Sequence, residues 1–188
     1  MTRSMLKLVL LVSVAISVAI IAACQPIQPD LVSTAARTAM QAETEAQNLA
    51  VVERFYTEFA AGNAAVISEV HPMTLTMHYA GSAEDVPTAL LEEDLAAIKA
   101  ANPDLHAEVH SMIAAGEYVF TELTWSGTHT GDFFGIAATG NPVVHNGIVV
   151  RRLQEGKIVE SWEIWDDLTF LAELGLAPSW DEATAPQP

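Results

Sequence analysis

Cysteine and positive charge are what this sequence has least of. A single thiol, Cys24, among 188 residues rules out an internal disulfide, so stability must come from ordinary burial of a core. Eight Lys and Arg stand against 24 Asp and Glu, a net charge of −16. The cations are too few and too scattered to form the basic patch that holds a phosphate backbone, so no nucleic acid is expected as a partner. The acidity serves solubility and disfavours close approach to anionic headgroups. No internal repeat is visible, and the apolar run from Leu8 to Ala23 falls short of the about 20 residues that a comfortable membrane span needs.

That run is nevertheless informative. Arg3 and Lys7 precede it and small residues end it, the pattern of a secretory targeting segment. Ile21-Ala22-Ala23-Cys24 resembles the bacterial lipobox, which implies lipidation of Cys24 and cleavage before it. Removing residues 1–23 leaves 6 basic against 24 acidic residues, a net −18. The expected organisation is a lipoprotein signal peptide over 1–23, a flexible tether over 24–44, one folded domain over 45–176 and a Pro-rich tail over 177–188 with Trp180 as its anchor. Its expected place is the extracytoplasmic side of a bacterial membrane.

Within the domain, Leu49, Val52, Tyr56 and Phe59 recur at helical spacing up to Gly62, and Asn63 is placed to cap a short second helix through Val70. The TLTMHYA segment alternates as a strand carrying His78, and Leu91, Leu95 and Ile98 mark a third helix begun near Pro87. Beyond Asn102-Pro103-Asp104 the period switches to two. Leu105, Ala107, Val109 and Ile113 alternate with polar residues, as do Val119, Leu123 and Trp125, and a final hairpin joins 143–153 to 157–165. Leu168, Leu171 and Leu174 make a last helix. Helices first and antiparallel strands afterwards predict an α+β fold, with helices on one face of a curved sheet and an apolar pocket between them.

From about Asn48 to Gly175 the chain resembles the SnoaL-like polyketide cyclases, whose cone-shaped fold is shared with nuclear transport factor two and ketosteroid isomerase. The matching pieces, in order, include NLAVVERFYTEFAAGN, LTMHYAG, NPDLHAEV, TWSGTHTGDFFGIAATG, GIVVRRLQEGKIVESWEIWDDL and LAELG. The resemblance implies a curved antiparallel sheet with N-terminal helices packed on its concave side. It also implies a cofactor-free intramolecular aldol condensation on a polyketide-like ester, driven by an acid just after the Trp of the last strand, which is Asp166 here.

Asp titrates near 3.9 in water, so Asp166 can act as a base at neutral pH only if burial, for example against its same-face neighbours Trp162 and Ile164, raises it. A two-residue Glu155-Gly156 turn pairs Leu153 with Ile158, Arg151 with Glu160, Val149 with Trp162 and His145 with Asp166; one residue of slip turns Asp166 toward Asn146 instead. The plain alternative for Asp166 is a cap on the last helix, a role Asp167 can also fill. His145 and His78 complete the candidate catalytic set. Trp162, Ile164, Tyr56, Phe59, Trp125 and His129 are candidate pocket residues, with packing as the plain reading of the aromatics and His129 as a gate in the THTG loop. In the family a Tyr stands where Phe59 stands here, so a hydroxyl donor is missing. Arg152 with Asp166 faintly resembles the acid and Arg pair of limonene epoxide hydrolases. His106 and His110 lie about 13 Å apart along a strand, too far to share an ion, so no metal is expected, and the resemblance implies no cofactor. The expected partners are a small apolar molecule and the membrane through Cys24, with a homodimer as one option. A non-catalytic binding module and a scaffolding domain with a filled cone are the competing functions.

Overall fold

The computed structural model describes residues 29–79 and 81–177. The signal segment, Cys24 and Trp180 lie outside the described residues. The chain divides into two compact units, residues 1–40 and 41–188. Helix α1 (Pro29–Ala61) starts inside the stretch expected to be a tether. The sequence explains this: Ala, Arg, Gln, Glu and Met dominate residues 35–47, and they are strong helix formers. One-turn side-chain contacts support the helix within each unit, Arg37 with Ser33 in the first and Gln41 with Glu45 in the second.

In the second unit α1 turns amphipathic, burying Val52, Phe55 and Tyr56, and ends at Gly62, whose φ is +83°. Asn63 Oδ1 then accepts from the Ala65 amide as α2 (Ala65–Val70) begins. Strands β1 (Thr74–Tyr79) and β2 (Ser82–Pro87) form a hairpin before α3 (Thr88–Ala101). The acidic, Pro-ended β2 has no alternating apolar pattern, and for that reason it did not read as a strand. Four longer strands follow, β3 (His106–Ala115), β4 (Tyr118–Thr128), β5 (Pro142–Gln154) and β6 (Lys157–Trp165), and then α4 (Asp167–Glu173).

The six strands form one curved, unclosed sheet in the order β2-β1-β6-β5-β4-β3. All neighbours are antiparallel except β1 and β6, which run parallel, so the sheet is mixed rather than purely antiparallel. Helices cover one face. There Val52, Val66, Ile67 and Leu95 from the helices meet Val119, Leu123, Val149 and Ile158 from the strands in a continuous core. The other face carries Ile113, Phe120, Ile148 and Ile164, all exposed.

Two bulges set which side chains face which way. In β3 the pairing jumps from Val109 to Ser111, leaving His110 unpaired, so Met112 and Ala114 pack inward and Ile113 faces out, against the strict alternation read from sequence. In the last hairpin the two-residue turn holds: Leu153 pairs with Ile158 and Gln154 with Lys157. Arg152 then pairs with Glu160, so Val159 is an extra residue and every later pair slips by one. Arg151 faces Ser161, Val149 faces Glu163, and Gly147 faces Trp165. A Cβ on Gly147 would overlap the Trp165 ring, so glycine is what lets that indole lie across β5.

Candidate active site

Between the helices and the sheet lies a cavity of about 550 Å³. Phe55, Phe59, Leu91, Ile98, Trp125 and Trp165 form much of its apolar wall, and His71, Asp94, Asn102, His145, Arg151 and Glu163 are among the polar groups in it, with Tyr79 and Ser126. One side is built by the 129–141 loop. The amides of Thr130 and Gly131 both donate to the Ala101 carbonyl at the end of α3, and any side chain at Gly131 would collide with Ala100. This clamp leads Phe133 and Phe134 into the cavity wall. His129 is fully buried beneath the loop, where its Nδ1 accepts from the Thr139 amide and meets the Thr139 hydroxyl. Its work is to fix the loop's path. It does not line the cavity.

His145 enters the cavity from β5. Its ring is stacked between Trp165, 4.9 Å centroid to centroid, and Phe170 of α4, at 4.6 Å. Nε2 lies 3.0 Å from Asp167 Oδ1, so Nε2–H donates to the carboxylate and Nδ1 is left as an acceptor. The other oxygen of Asp167 accepts from the Tyr79 hydroxyl at 2.6 Å. Burial and that bond to Asp167 push the Tyr79 phenol up to about 12, so it remains a donor at neutral pH. Asp167 thereby orients an imidazole whose plane two aromatic rings already fix, the arrangement of a general base held in one tautomer.

Deeper in the cavity sits Arg151, wholly buried against Phe55 and Tyr56, with its guanidinium carbon 4.6 Å from the Phe55 centroid. Its polar contacts are long: Tyr56 Oη and Ser161 Oγ at 3.4 Å, and Glu163 Oε1 at 3.7 Å. Glu163 also accepts from Ser161 Oγ at 2.9 Å and Trp165 Nε1 at 3.1 Å. His71 packs edge-on to Phe55, its Nδ1 2.9 Å from the Ile67 carbonyl. Burial first, then the Arg151 charge, depress its pKa to about 4, so it is neutral. Asp94 stands at the exposed edge of the cavity, raised by partial burial and by Glu93 beside it.

The slip at Val159 relocates several expected site residues. Asp166 is not buried and not beside His145: its amide donates to the Asn146 carbonyl, and its exposed carboxylate caps α4 by accepting from the Thr169 amide at 3.2 Å. Trp162 and Ile164 face away from the cavity, Ile164 with 72 % of its surface exposed. His78 lies on that outer side too, stacked on Trp162 at 4.7 Å with Nε2 2.9 Å from Glu160. Glu160 pairs with Arg152 at 2.8 Å rather than with Arg151, and Arg152 does not meet Asp166. Phe59 and Trp125 do line the cavity, whereas Tyr56 is buried in the core with its hydroxyl toward Arg151. His71, Glu163, Asp167 and Arg151 were missed as site residues because their placement depends on bulges and tertiary packing. The one usable sequence signal was the adjacent acid pair Asp166-Asp167, of which one caps the helix and the other, half exposed, meets His145. Among the described residues no group of three or more metal-ligating side chains occurs.

The family model for the SnoaL-like polyketide cyclases matches residues 50–174. Among solved structures, AclR from Streptomyces galilaeus, a candidate hydroxylase, superposes with a TM-score of 0.65 at 24% identity, covering 76% of this chain and 87% of its own. IdmH from Streptomyces antibioticus, a candidate polyketide cyclase, gives 0.59 at 28% identity over 69% of this chain and 99% of its own. An LEH-like epoxide hydrolase from M. tuberculosis gives 0.55 at 14% identity, covering 69% of this chain and 90% of its own, a likeness of fold alone. No curated protein matches the chain.

The depressed His71 pKa has a consequence for stability. Between about 6.5 and about 4 the unfolded chain binds a proton at this His that the folded chain refuses, so stability falls as pH is lowered through that window. The contribution of this one group approaches about 3 kcal/mol at the acid end. Urea unfolding at pH 7, 5.5 and 4.5 should show a steeper acid loss for the native chain than for His71→Leu, and equal slopes would disprove the assignment.

Proposed function

Because the chain belongs to the SnoaL-like polyketide cyclase family, we propose that it is a cofactor-free, cyclase-type enzyme acting on a small apolar carbonyl compound, with His145 rather than Asp166 moving the proton. The observation that carries this reading is His145, held from behind by Asp167, lining a mostly apolar cavity. His145 Nδ1 takes a proton from the carbon beside a substrate carbonyl, and Asp167 balances the imidazolium charge across the 3.0 Å bond. The enolate carbon then attacks a second carbonyl of the same molecule. A carbon–carbon bond forms, the electron pair of that carbonyl moves to its oxygen, and the proton held at Nδ1 returns to that alkoxide. Net proton change at the enzyme is zero. The apolar walls bury the substrate skeleton and strengthen every charge interaction at the reacting end.

A second reading, a binding module that holds its ligand unchanged, is favoured by the export-type N-terminus. Deuterium exchange separates the two. With 2-tetralone as the probe, the native chain in heavy water should speed exchange at the α-carbon. His145→Gln should lower that rate by about a hundredfold or more, the usual share of a general base. Asp167→Asn should lower it by less, and Asp166→Asn should leave it near the native rate. Saturable binding with no acceleration, or a loss confined to Asp166→Asn, would overturn the assignment.

We further propose that the chain is exported and held on the outer side of a bacterial membrane by lipid on Cys24, on the support of residues 3–24. An alkyne-tagged fatty acid fed to expressing bacteria should label the native chain and not Cys24→Ala; equal labelling excludes the anchor. The assembly we propose is a homodimer formed through the outer sheet face, where Ile113, Phe120, Ile148 and Ile164 lie exposed on adjacent strands. Sedimentation should report a dimer that Ile164→Glu converts to monomer, and a native monomer at all concentrations would refute it.

A further inference from the structure

The cavity has a polar corner that the proton-transfer chemistry does not use. His71 is 98 % buried in the sense that only 2 % of its surface is exposed, and it lines the cavity. Its Nδ1 is committed to the Ile67 carbonyl, an acceptor, so Nδ1 carries the hydrogen and Nε2 is a lone-pair acceptor. That Nε2 is buried and has no hydrogen-bond partner. With its hydrogen on Nδ1 it is an acceptor at Nε2, and both it and Arg151 pack on the Phe55 ring. Arg151 in turn is a buried cation whose nearest polar contacts are 3.4 to 3.7 Å away, well beyond the 2.7–2.9 Å of a strong charge-assisted bond. An unsatisfied acceptor and an under-satisfied donor group therefore both line the chamber and both touch Phe55. Each leaves a deficit that a ligand atom of the matching kind removes.

One kind of atom matches both at once. We propose that His71 and Arg151 form a recognition corner for a hydroxyl on an unsaturated carbon, a phenol or an enol, whose hydrogen is donated to His71 Nε2 while its oxygen accepts from the Arg151 guanidinium. A carbonyl oxygen can satisfy Arg151 but not His71. A carboxylate can do no better, having no hydrogen to give. An aliphatic alcohol donates more weakly than a phenol and is less stabilised beside a cation. The corner thus selects an aromatic or enolic hydroxyl and fixes which end of the ligand goes in first. This rests on the cavity being the ligand site, as proposed above, and not on any turnover there.

Equilibrium binding to the full chain tests it, with 1-naphthol and 1-methoxynaphthalene as probes of nearly the same skeleton. Naphthol both donates and accepts, whereas the methyl ether can only accept. By tryptophan fluorescence titration the native chain should bind naphthol about tenfold tighter than the ether, the order of one buried hydrogen bond lost with its acceptor left bare. His71→Leu should bring the ratio to near one while still binding the ether, which also shows that the variant is folded. Arg151→Gln, provided its circular dichroism matches the native chain, should weaken naphthol more than the ether. A native ratio near one, or a ratio that survives His71→Leu, overturns the proposal. Because the readout is affinity, a chain that discriminates the two probes but never speeds α-carbon exchange would uphold this corner and refute the catalytic reading, and the reverse pattern would do the opposite.

Discussion

The bulge at Val159 decides what the cavity can do. Side chains on a strand alternate faces, so one extra residue inverts everything beyond it. With that residue present, Ser161, Glu163 and Trp165 turn toward the helices, and Trp162 and Ile164 turn away. Trp165 then lies over Gly147 and stacks on His145, while Glu163 comes within reach of Arg151. The strand ends one residue late for Asp166 to point inward, so Asp166 caps α4 and Asp167, the next residue, meets His145. Dyad, indole wall and buried ion pair all follow from one irregularity.

The helix-covered side supplies what the sheet cannot, enclosure. The loop clamp at Ala101 carries Phe133 and Phe134 over the cavity, and Phe170 of α4 closes on the ring of His145 from the side opposite Trp165. Two aromatic faces restrict the imidazole to rotation in its own plane, and the bond to Asp167 removes that freedom as well. Preorganisation of this kind matters for proton transfer, because a base that must first be oriented spends part of its advantage on ordering. Asp167 accepts from two directions, from His145 and from Tyr79, and so is itself held in place.

Much of this was legible in the sequence and some was not, for definite reasons. The apolar periods of α1 and α3 and the two-residue turn at Glu155-Gly156 are local properties, and they stand as read. His145 was reached through an expected pairing with Asp166 that the slip in β6 removes, and in the structure its partner is Asp167. The faces of β6 and of the second half of β3 could not be read, because a bulge has no composition signature in VES or VHS. Strand β2 was missed for the opposite reason: SAEDVP is acidic and ends in Pro, and only pairing with β1 makes it a strand. Helix α1 was cut short because composition alone does not separate an Ala- and Gln-rich tether from an Ala- and Gln-rich helix. The corner of His71 and Arg151 joins the end of α2 to the middle of β5, residues 80 apart in the chain, which no local pattern reports.

Arg151 poses the sharper physical question. Taking a guanidinium out of water is expensive, and a single carboxylate at 3.7 Å with two hydroxyls at 3.4 Å returns only part of that. Stacking on Phe55 and Tyr56 adds some of the remainder. Buried ion pairs of this kind are poor sources of stability, since apolar residues of the same volume commonly serve as well. Burial first, and the cation after it, depress His71 to about 4, which keeps that ring neutral. A group that contributes little to holding the fold, yet keeps its neighbour neutral and presents loosely held donors to a cavity, is better accounted for by what enters the cavity than by what surrounds it.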